Sequence, residues 1–230
     1  GDAAAGAGVI GGAGGDFESG AIDGIFAQIF SNVGKSNQSA GGELTGVDAT
    51  DARLANGIYD SNFTGVDGYA LVERFDTKSG LNAGLFTNGT DQVLAFAGTS
   101  PTSRANWIAN LRQAFGFNSK QYQEGIALAE RLNVPGSNLR FTGHSLGGGI
   151  ASAAAIVTGS SATVFNAAGV HSNTIGDFSP SNGTIRYYYS TFDILRLGNL
   201  ITPASVPGQR ISLGASGLHG MGGIMGAVGQ

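Results

Sequence analysis

The chain has 230 residues, of which 41% are hydrophobic and 12% are charged, and its formal net charge is −4. This length and apolar content are enough to bury a core, which excludes intrinsic disorder for the bulk of the chain. The 12 basic residues form no cluster, so we expect no nucleic-acid partner. The 40 glycines lack the three-residue period of collagen.

Cysteine is absent from the sequence, and only three histidines are present. This excludes disulfides, a cysteine-liganded zinc site and a thiol nucleophile, and we expect neither a metal nor a cofactor. No apolar run of the sequence approaches the roughly 18 residues of a transmembrane helix. The first residues lack the basic segment of a secretory signal, so we expect the natural start to differ.

Residues 1–45 differ from the rest, since nine of the first 24 positions are glycine. Residues 11–16 match the start of a calcium-binding β-roll repeat, but no second copy follows and such repeats need about three copies to stack. We therefore predict a glycine-rich arm or linker over 1–45, with a short amphipathic helix over 22–30. The rest of the chain, 46–230, is predicted to form one domain.

Short strands and helices alternate from residue 46 onward, as expected of an α/β sheet. In chain order the sequence predicts a helix over 49–58, strands over 68–74, 82–87 and 92–97, helices over 104–115 and 120–133, a strand over 139–143, a helix over 146–158, and strands over 162–166 and 185–190. The first two strands are expected to form a hairpin. We therefore predict a mixed sheet, mostly parallel in its second half and flanked by helices.

The clearest chemical motif lies where the strand over 139–143 meets the next helix. Gly143, Ser145 and Gly147 fit the GxSxG pattern of a nucleophile elbow. The serine of an elbow is strained, and side chains two residues to either side would collide, which explains the glycines. Helix N–H groups at this point favour a developing oxyanion. We predict Ser145 as a nucleophile, and His144, which points away from it, as a packing or hydrogen-bonding residue.

A serine nucleophile needs a general base, and the base needs an orienting acid. After Ser145 the chain contains two carboxylates, Asp177 and Asp193, and two histidines, His171 and His219. The candidates for both roles are therefore few.

Chain order favours one pair of these candidates. The order in α/β-hydrolases is serine, acid, histidine, and only His219 follows either aspartate. Asp193 follows the strand over 185–190, at the sheet edge where active-site loops gather. Asp177 lies in a turn-rich stretch and is interpreted as a solvated loop charge. We predict Asp193 and His219, with Asp177 and His171 as the alternatives.

Several segments taken together resemble the class 3 lipases and the lipase-like phospholipase A-type domains of bacterial exported proteins and effectors. They are residues 93–100, 106–111, 143–148 and 165–169, followed by Asp193 and His219. The resemblance covers about residues 60 to 228. It implies an α/β-hydrolase fold for the domain over 46–230.

The resemblance also implies a role for each matching residue. Ser145 is then the nucleophile, Asp193 and His219 are its partners, and the backbone N–H groups of Thr99 and Leu146 form the oxyanion hole.

A stripe of aromatic and aliphatic residues follows the predicted strand over 92–97. Trp107, Ile108 and Leu111 lie at helical spacing, which is typical of core packing. Because these residues follow that strand directly, the alternative to core packing is that they form a lid or a wall for the acyl chain. His171 follows the strand over 162–166 and is interpreted as a cleft-lining or a plain loop residue.

The activity implied is that of a serine carboxylic-ester hydrolase, a lipase or phospholipase that forms an acyl-enzyme. A lipid or ester substrate, transient contact with a membrane or micelle surface, and an exported or secreted location follow, with a cytoplasmic location as the alternative. Two other hypotheses are an acyltransferase using the same acyl-enzyme and a non-catalytic glycine-rich structural module. The complete set of Ser145, Asp193 and His219 argues against the module.

Overall fold

The computed structural model describes residues 43–98, 120–170, 172–175, 183–190, 208–214 and 220–229. All of them belong to one compact unit, Ser39–Gln230. None of the helices in these ranges is both long and apolar enough to cross a bilayer.

The centre of the unit is a mixed β-sheet. Its described strands are β1 (Gly65–Val66), β2 (Tyr69–Asp76), β3 (Asn82–Thr87), β4 (Gln92–Phe96), β5 (Leu139–His144), β6 (Ala162–Phe165), β7 (Ile185–Tyr189) and β8 (Gln209–Ser212). They lie side by side in chain order. β1 to β4 pair antiparallel, and β4 to β8 pair parallel. The predicted hairpin, β2–β3, and the predicted change to parallel pairing are confirmed.

Helices cover both faces of the sheet. They are α1 (Gly46–Gly57), α2 (Lys120–Leu132), α3 (Leu146–Thr158), α4 (Ser172–Ile175) and α5 (Met221–Gly226). Side chains alternate along each strand, so Leu94 and Phe96 pack with α2 and α3, while Val93 and Ala95 pack with α1. The central strands β4, β5 and β6 are therefore buried on both sides, as expected of an α/β sheet.

Most predicted elements agree with the structure to within a few residues. The predicted helix over 104–115 lies outside the described residues, as does most of the arm over 1–45. α1 begins three residues earlier than predicted, and β1, β8, α4 and α5 were not predicted. These additions are short elements, so they extend the predicted architecture without changing it.

Buried charge fixes α1 against the sheet. Asp51 is fully buried, and Arg140 donates from Nε to its two carboxylate oxygens at 3.0 and 3.2 Å. One turn earlier, Asp48 pairs with Arg186 at 2.7 Å and accepts a hydrogen bond from Tyr188 at 2.6 Å. Burial raises the pKa of Asp51, and the neighbouring guanidinium opposes that rise. α1 thus docks through paired charges as well as apolar contacts.

Leu44, near the start of the described residues, belongs to the core. Leu44 is fully buried beside Met221 and Ile224 of α5. Its backbone N–H donates to the Ala227 carbonyl at 2.7 Å, and it forms a parallel bridge with Val228. The buried core therefore extends at least as far toward the amino terminus as Leu44.

Candidate active site

Ser145 occupies the single-residue turn between β5 and α3. Its backbone has φ 58° and ψ −127°, a conformation that side-chain-bearing residues rarely adopt. β5 ends at His144 and α3 begins at Leu146, so strand and helix meet at this residue. The predicted nucleophile elbow is therefore present in the fold.

The flanking glycines are required by contacts with neighbouring backbone. A Cβ at Gly143 would lie 2.5 Å from the carbonyl carbon and oxygen of Gly147. A Cβ at Gly147 would overlap the carbonyl oxygen of Phe96 at the end of β4. Neither obstacle is a movable side chain, so the elbow packs this closely only because both positions are glycine.

Backbone hydrogen bonds hold the strained residue on both sides. The Ser145 N–H donates to the Phe165 carbonyl at 3.1 Å, and the Ser145 carbonyl accepts from Gly149 at 3.1 Å and from Ala168 at 2.9 Å. The side chain is 2% exposed, and its Oγ has no hydrogen-bond partner among the described residues. A fixed backbone thus presents a hydroxyl that no described group engages.

Leu146 and Gly98 lie close to Ser145. Leu146 is the first residue of the 13-residue helix α3, where backbone N–H groups point away from the helix. On the other side, a Cβ built on Gly98 would lie 3.2 Å from Ser145 Cβ. Gly98 directly precedes Thr99, which lies outside the described residues.

A cavity of about 370 Å³ opens beside the elbow. Its apolar wall comes from Leu81, Ala97, Leu146 and Ile150, and its polar lining includes Tyr59, Asn82 and Gln121. The Asn82 Oδ1 is buried without a hydrogen-bond partner in the described part of the chain. The position of this cavity, next to Gly98 and Leu146, suits a substrate group bound near the nucleophile.

Of the predicted site residues, the structure describes Ser145 and Leu146, which are adjacent at the elbow. The others lie outside the described residues and remain predictions: Asp193, His219, Thr99, Trp107, Ile108, Leu111 and His171, together with the alternative acid Asp177.

Sequence reasoning missed Tyr59. Its hydroxyl accepts a hydrogen bond from the Gly98 N–H at 2.9 Å and lies 3.2 Å from Nδ1 of His144. Burial raises the pKa of Tyr59 to about 12. No motif marks this residue, because its partners are 39 and 85 positions away. His144 itself is buried and takes part in hydrogen bonding, which confirms its predicted role.

Comparison with known proteins agrees with this geometry. Over 167 residues the chain is 36% identical to an extracellular phospholipase A1 of Serratia liquefaciens, a match that covers 63% of the chain. The chain spans about half, 52%, of the length of that curated relative.

The fold matches that of a solved lipase. The crystal structure of Lip2 lipase from Yarrowia lipolytica superposes with a TM-score of 0.52 over 76% of this chain and 82% of that one, at 14% identity. The fold is accordingly that of the α/β-hydrolases. Residues 50–223 match the sequence profile of the Tle-like phospholipase domain, and this match takes in the elbow, the cavity and most of the sheet. The chain therefore belongs to the Tle-like phospholipase family.

Proposed function

We propose that this protein hydrolyses carboxylic esters of acyl lipids, as a phospholipase A-type enzyme, through an acyl-enzyme on Ser145. The observation that carries the proposal is the buried, strained elbow of Ser145 within a domain of the phospholipase family. A serine held in this way, with no competing hydrogen bond from the described residues, is the arrangement that nucleophilic acyl transfer needs.

In the proposed reaction the Ser145 Oγ attacks the ester carbonyl carbon and passes its proton to His219. The tetrahedral intermediate collapses, His219 protonates the departing alcohol, and an acyl-serine ester remains. Water, deprotonated by the same imidazole, then releases the fatty acid. Asp193 orients His219 and stabilises the imidazolium that forms in both halves.

The ends of neighbouring strands support Asp193 as the acid. The Ser190 N–H at the end of β7 donates to the Asn166 side chain at 2.9 Å, and Asn166 follows Phe165, whose carbonyl holds the Ser145 N–H. β7 is thus two strands from the elbow, roughly 10 Å at the usual spacing. Asp193 follows Ser190 by three residues, a length of chain that spans this distance.

The position of α5 supports His219 as the base. Met221 and Ile224 of α5 are buried in the same cluster as Phe165, the residue that binds the Ser145 backbone. His219 precedes this helix by two residues. The helix that directly follows this segment thus packs beside the end of β6, next to the nucleophile, which supports the assignment.

We assign the oxyanion hole to the N–H groups of Thr99 and Leu146. Leu146 begins α3, and Gly98 brings the chain to within contact of Ser145 immediately before Thr99. Two such donors aimed at the developing charge are worth about 10²-fold or more each in rate.

The family and the lining of the cavity both support a proposal for the substrate class. We propose phospholipid acyl esters at a membrane or micelle surface, and an exported protein, by analogy with the extracellular relative. Trp107, Ile108, Leu111 and His171 are proposed to complete the acyl-chain wall or lid, since the described cavity already offers Leu81, Leu146 and Ile150 on one side.

The decisive experiment measures fatty-acid release from phosphatidylcholine beside hydrolysis of nitrophenyl esters of increasing chain length. We expect turnover of both, and covalent labelling by a fluorophosphonate. Ser145→Ala removes one oxygen and is expected to fold, to escape labelling and to lose about 10⁴-fold or more in rate. Turnover of no ester by the folded wild-type protein would refute the proposed function.

A second pair of variants tests the acid. Asp193→Asn favours the wrong imidazole tautomer and is expected to cost about 10⁴-fold in turnover, whereas Asp177→Asn is expected to change it less than about twofold. The reverse result would transfer the role to Asp177.

A further inference from the structure

Tyr59 follows α1, and its side chain reaches the end of β4. Its role is inferred here on the basis of the proposed function. The Ala97 N–H, the last before Gly98, still donates to a strand neighbour, the Asn82 carbonyl, at 2.9 Å. The next N–H, that of Gly98, donates instead to the Tyr59 hydroxyl at 2.9 Å. The chain is therefore held by a side chain at the point where it leaves the sheet for Thr99.

The same hydroxyl contacts the residue before the nucleophile. His144 Nδ1 lies 3.2 Å from the Tyr59 oxygen, closer than the His144 carbonyl oxygen at 3.5 Å. The two rings meet edge to face, with centroids 6.2 Å apart at 65°. The phenol is protonated at neutral pH, so its one proton can be donated toward His144 while a lone pair accepts from Gly98.

Tyr59 and the elbow pack closely around Gly98. A Cβ built on Gly98 would lie 2.6 Å from the Tyr59 oxygen, 2.7 Å from the His144 carbonyl oxygen and 3.2 Å from Ser145 Cβ. Tyr59, Gly98 and the elbow are thus in direct contact. Losing the hydroxyl would leave the Gly98 N–H without the partner that now holds it.

We propose that Tyr59 is a positioning residue that sets the spacing between the two halves of the oxyanion hole. On one side it holds Gly98, and so the proposed donor Thr99; on the other it contacts His144, which precedes Ser145 and the proposed donor Leu146. One hydroxyl therefore couples the β4 end to the nucleophile elbow. The Tyr59 hydroxyl forms no hydrogen bond with the Ser145 Oγ, and it acts through the backbone N–H groups that it places.

The test is the kinetics of Tyr59→Phe, which removes only the hydroxyl. Losing an oxyanion donor outright costs about 10²–10³-fold, so misplacing one is expected to lower kcat by about 10-fold to 100-fold. KM for a soluble nitrophenyl ester is expected to stay within about twofold, because the aromatic ring still lines the cavity. Fluorophosphonate labelling, which also places an oxygen in the oxyanion hole, is expected to slow in parallel with kcat.

Tyr69→Phe is the matched control. Tyr69 and Tyr59 pack in the same hydrophobic cluster on one face of the sheet. The Tyr69 hydroxyl, however, accepts a hydrogen bond from Arg140 at 3.2 Å and not from the backbone after β4. It is expected to keep the wild-type kcat while losing a similar amount of stability in urea. If Tyr59→Phe proves too unstable to assay, His144→Leu tests the other half of the contact, with a smaller fall in kcat expected.

The outcomes separate this inference from the proposed function. A folded wild-type protein that turns over no ester refutes the function. An active wild type whose Tyr59→Phe variant matches Tyr69→Phe in kcat overturns the positioning role alone. A rise in KM with unchanged kcat also overturns it, since that result makes Tyr59 a substrate-binding residue.

Discussion

The close contact at Gly143 predicts the effect of one methyl group at the elbow. In Gly143→Ala the new carbon would lie 2.5 Å from the Gly147 carbonyl group and 2.8 Å from the Gly148 nitrogen, whereas ordinary contact begins near 3.4 Å. The turn must open by about 0.9 Å, which displaces Ser145 against groups that require alignment. A misplacement of about 1 Å costs about 10²-fold in rate, or about 2.7 kcal/mol of barrier. Overpacking is expected to cost a further 1–3 kcal/mol, roughly, in stability.

The assay compares kcat/KM for a nitrophenyl ester with the free energy of unfolding in urea. Gly226→Ala is the control, since a Cβ on this last residue of α5 meets nothing within 4 Å. It adds the same methyl group and is expected to leave kcat/KM unchanged. If folded Gly143→Ala keeps the activity of Gly226→Ala, the elbow is looser than its contacts indicate and the argument fails.

Three further predictions concern stability, each read from urea unfolding. Leu44→Ala is expected to cost about 3–5 kcal/mol, against less than about 0.5 for Val47→Ala, which is 52% exposed. Arg140→Met leaves Asp51 buried without its guanidinium partner, and this is expected to lower the free energy of unfolding by about 3–5 kcal/mol. The pKa of Asp51 in the folded state then rises further, so the folded state binds that proton more tightly than the unfolded state does. The loss of stability is therefore expected to grow as pH rises above about 4. Asn82→Leu removes a buried oxygen that has no partner among the described residues and is expected to add about 1 kcal/mol to the free energy of unfolding. An unchanged unfolding midpoint in any of the three would contradict its argument.

Strands with alternating or continuous apolar residues could be predicted from the sequence because the apolar residues themselves indicate which positions are buried. β3, β4 and β6 are examples, each carrying buried residues along most of its length. β8 could not be predicted, since its four residues are exposed apart from the half-buried Ile211. An edge strand of this kind is defined by pairing with β7, which no local pattern encodes.

The candidate site also contains residues that the sequence could predict and residues that it could not. Ser145 could be predicted because strain and close approach force glycines at fixed spacing around it. Tyr59 could not, because its contact with Gly98 depends on how α1 docks on the sheet, and α1 docks partly through Asp48 and Asp51. Two acidic residues on a helix face indicate solvent exposure in a sequence, whereas here they are paired with Arg186 and Arg140.

The bridge between Leu44 and Val228 has a consequence for the order of folding during synthesis. Leu44 leaves the ribosome before the residues that bury it, since Met221 and Ile224 follow more than 170 positions later. At about 5–20 residues per second, its apolar side chain waits of the order of 10 seconds or more for its partners. This cluster is therefore completed only when α5 is synthesised, and a chain that stalls before Met221 leaves Leu44 without these partners and open to holdase chaperones.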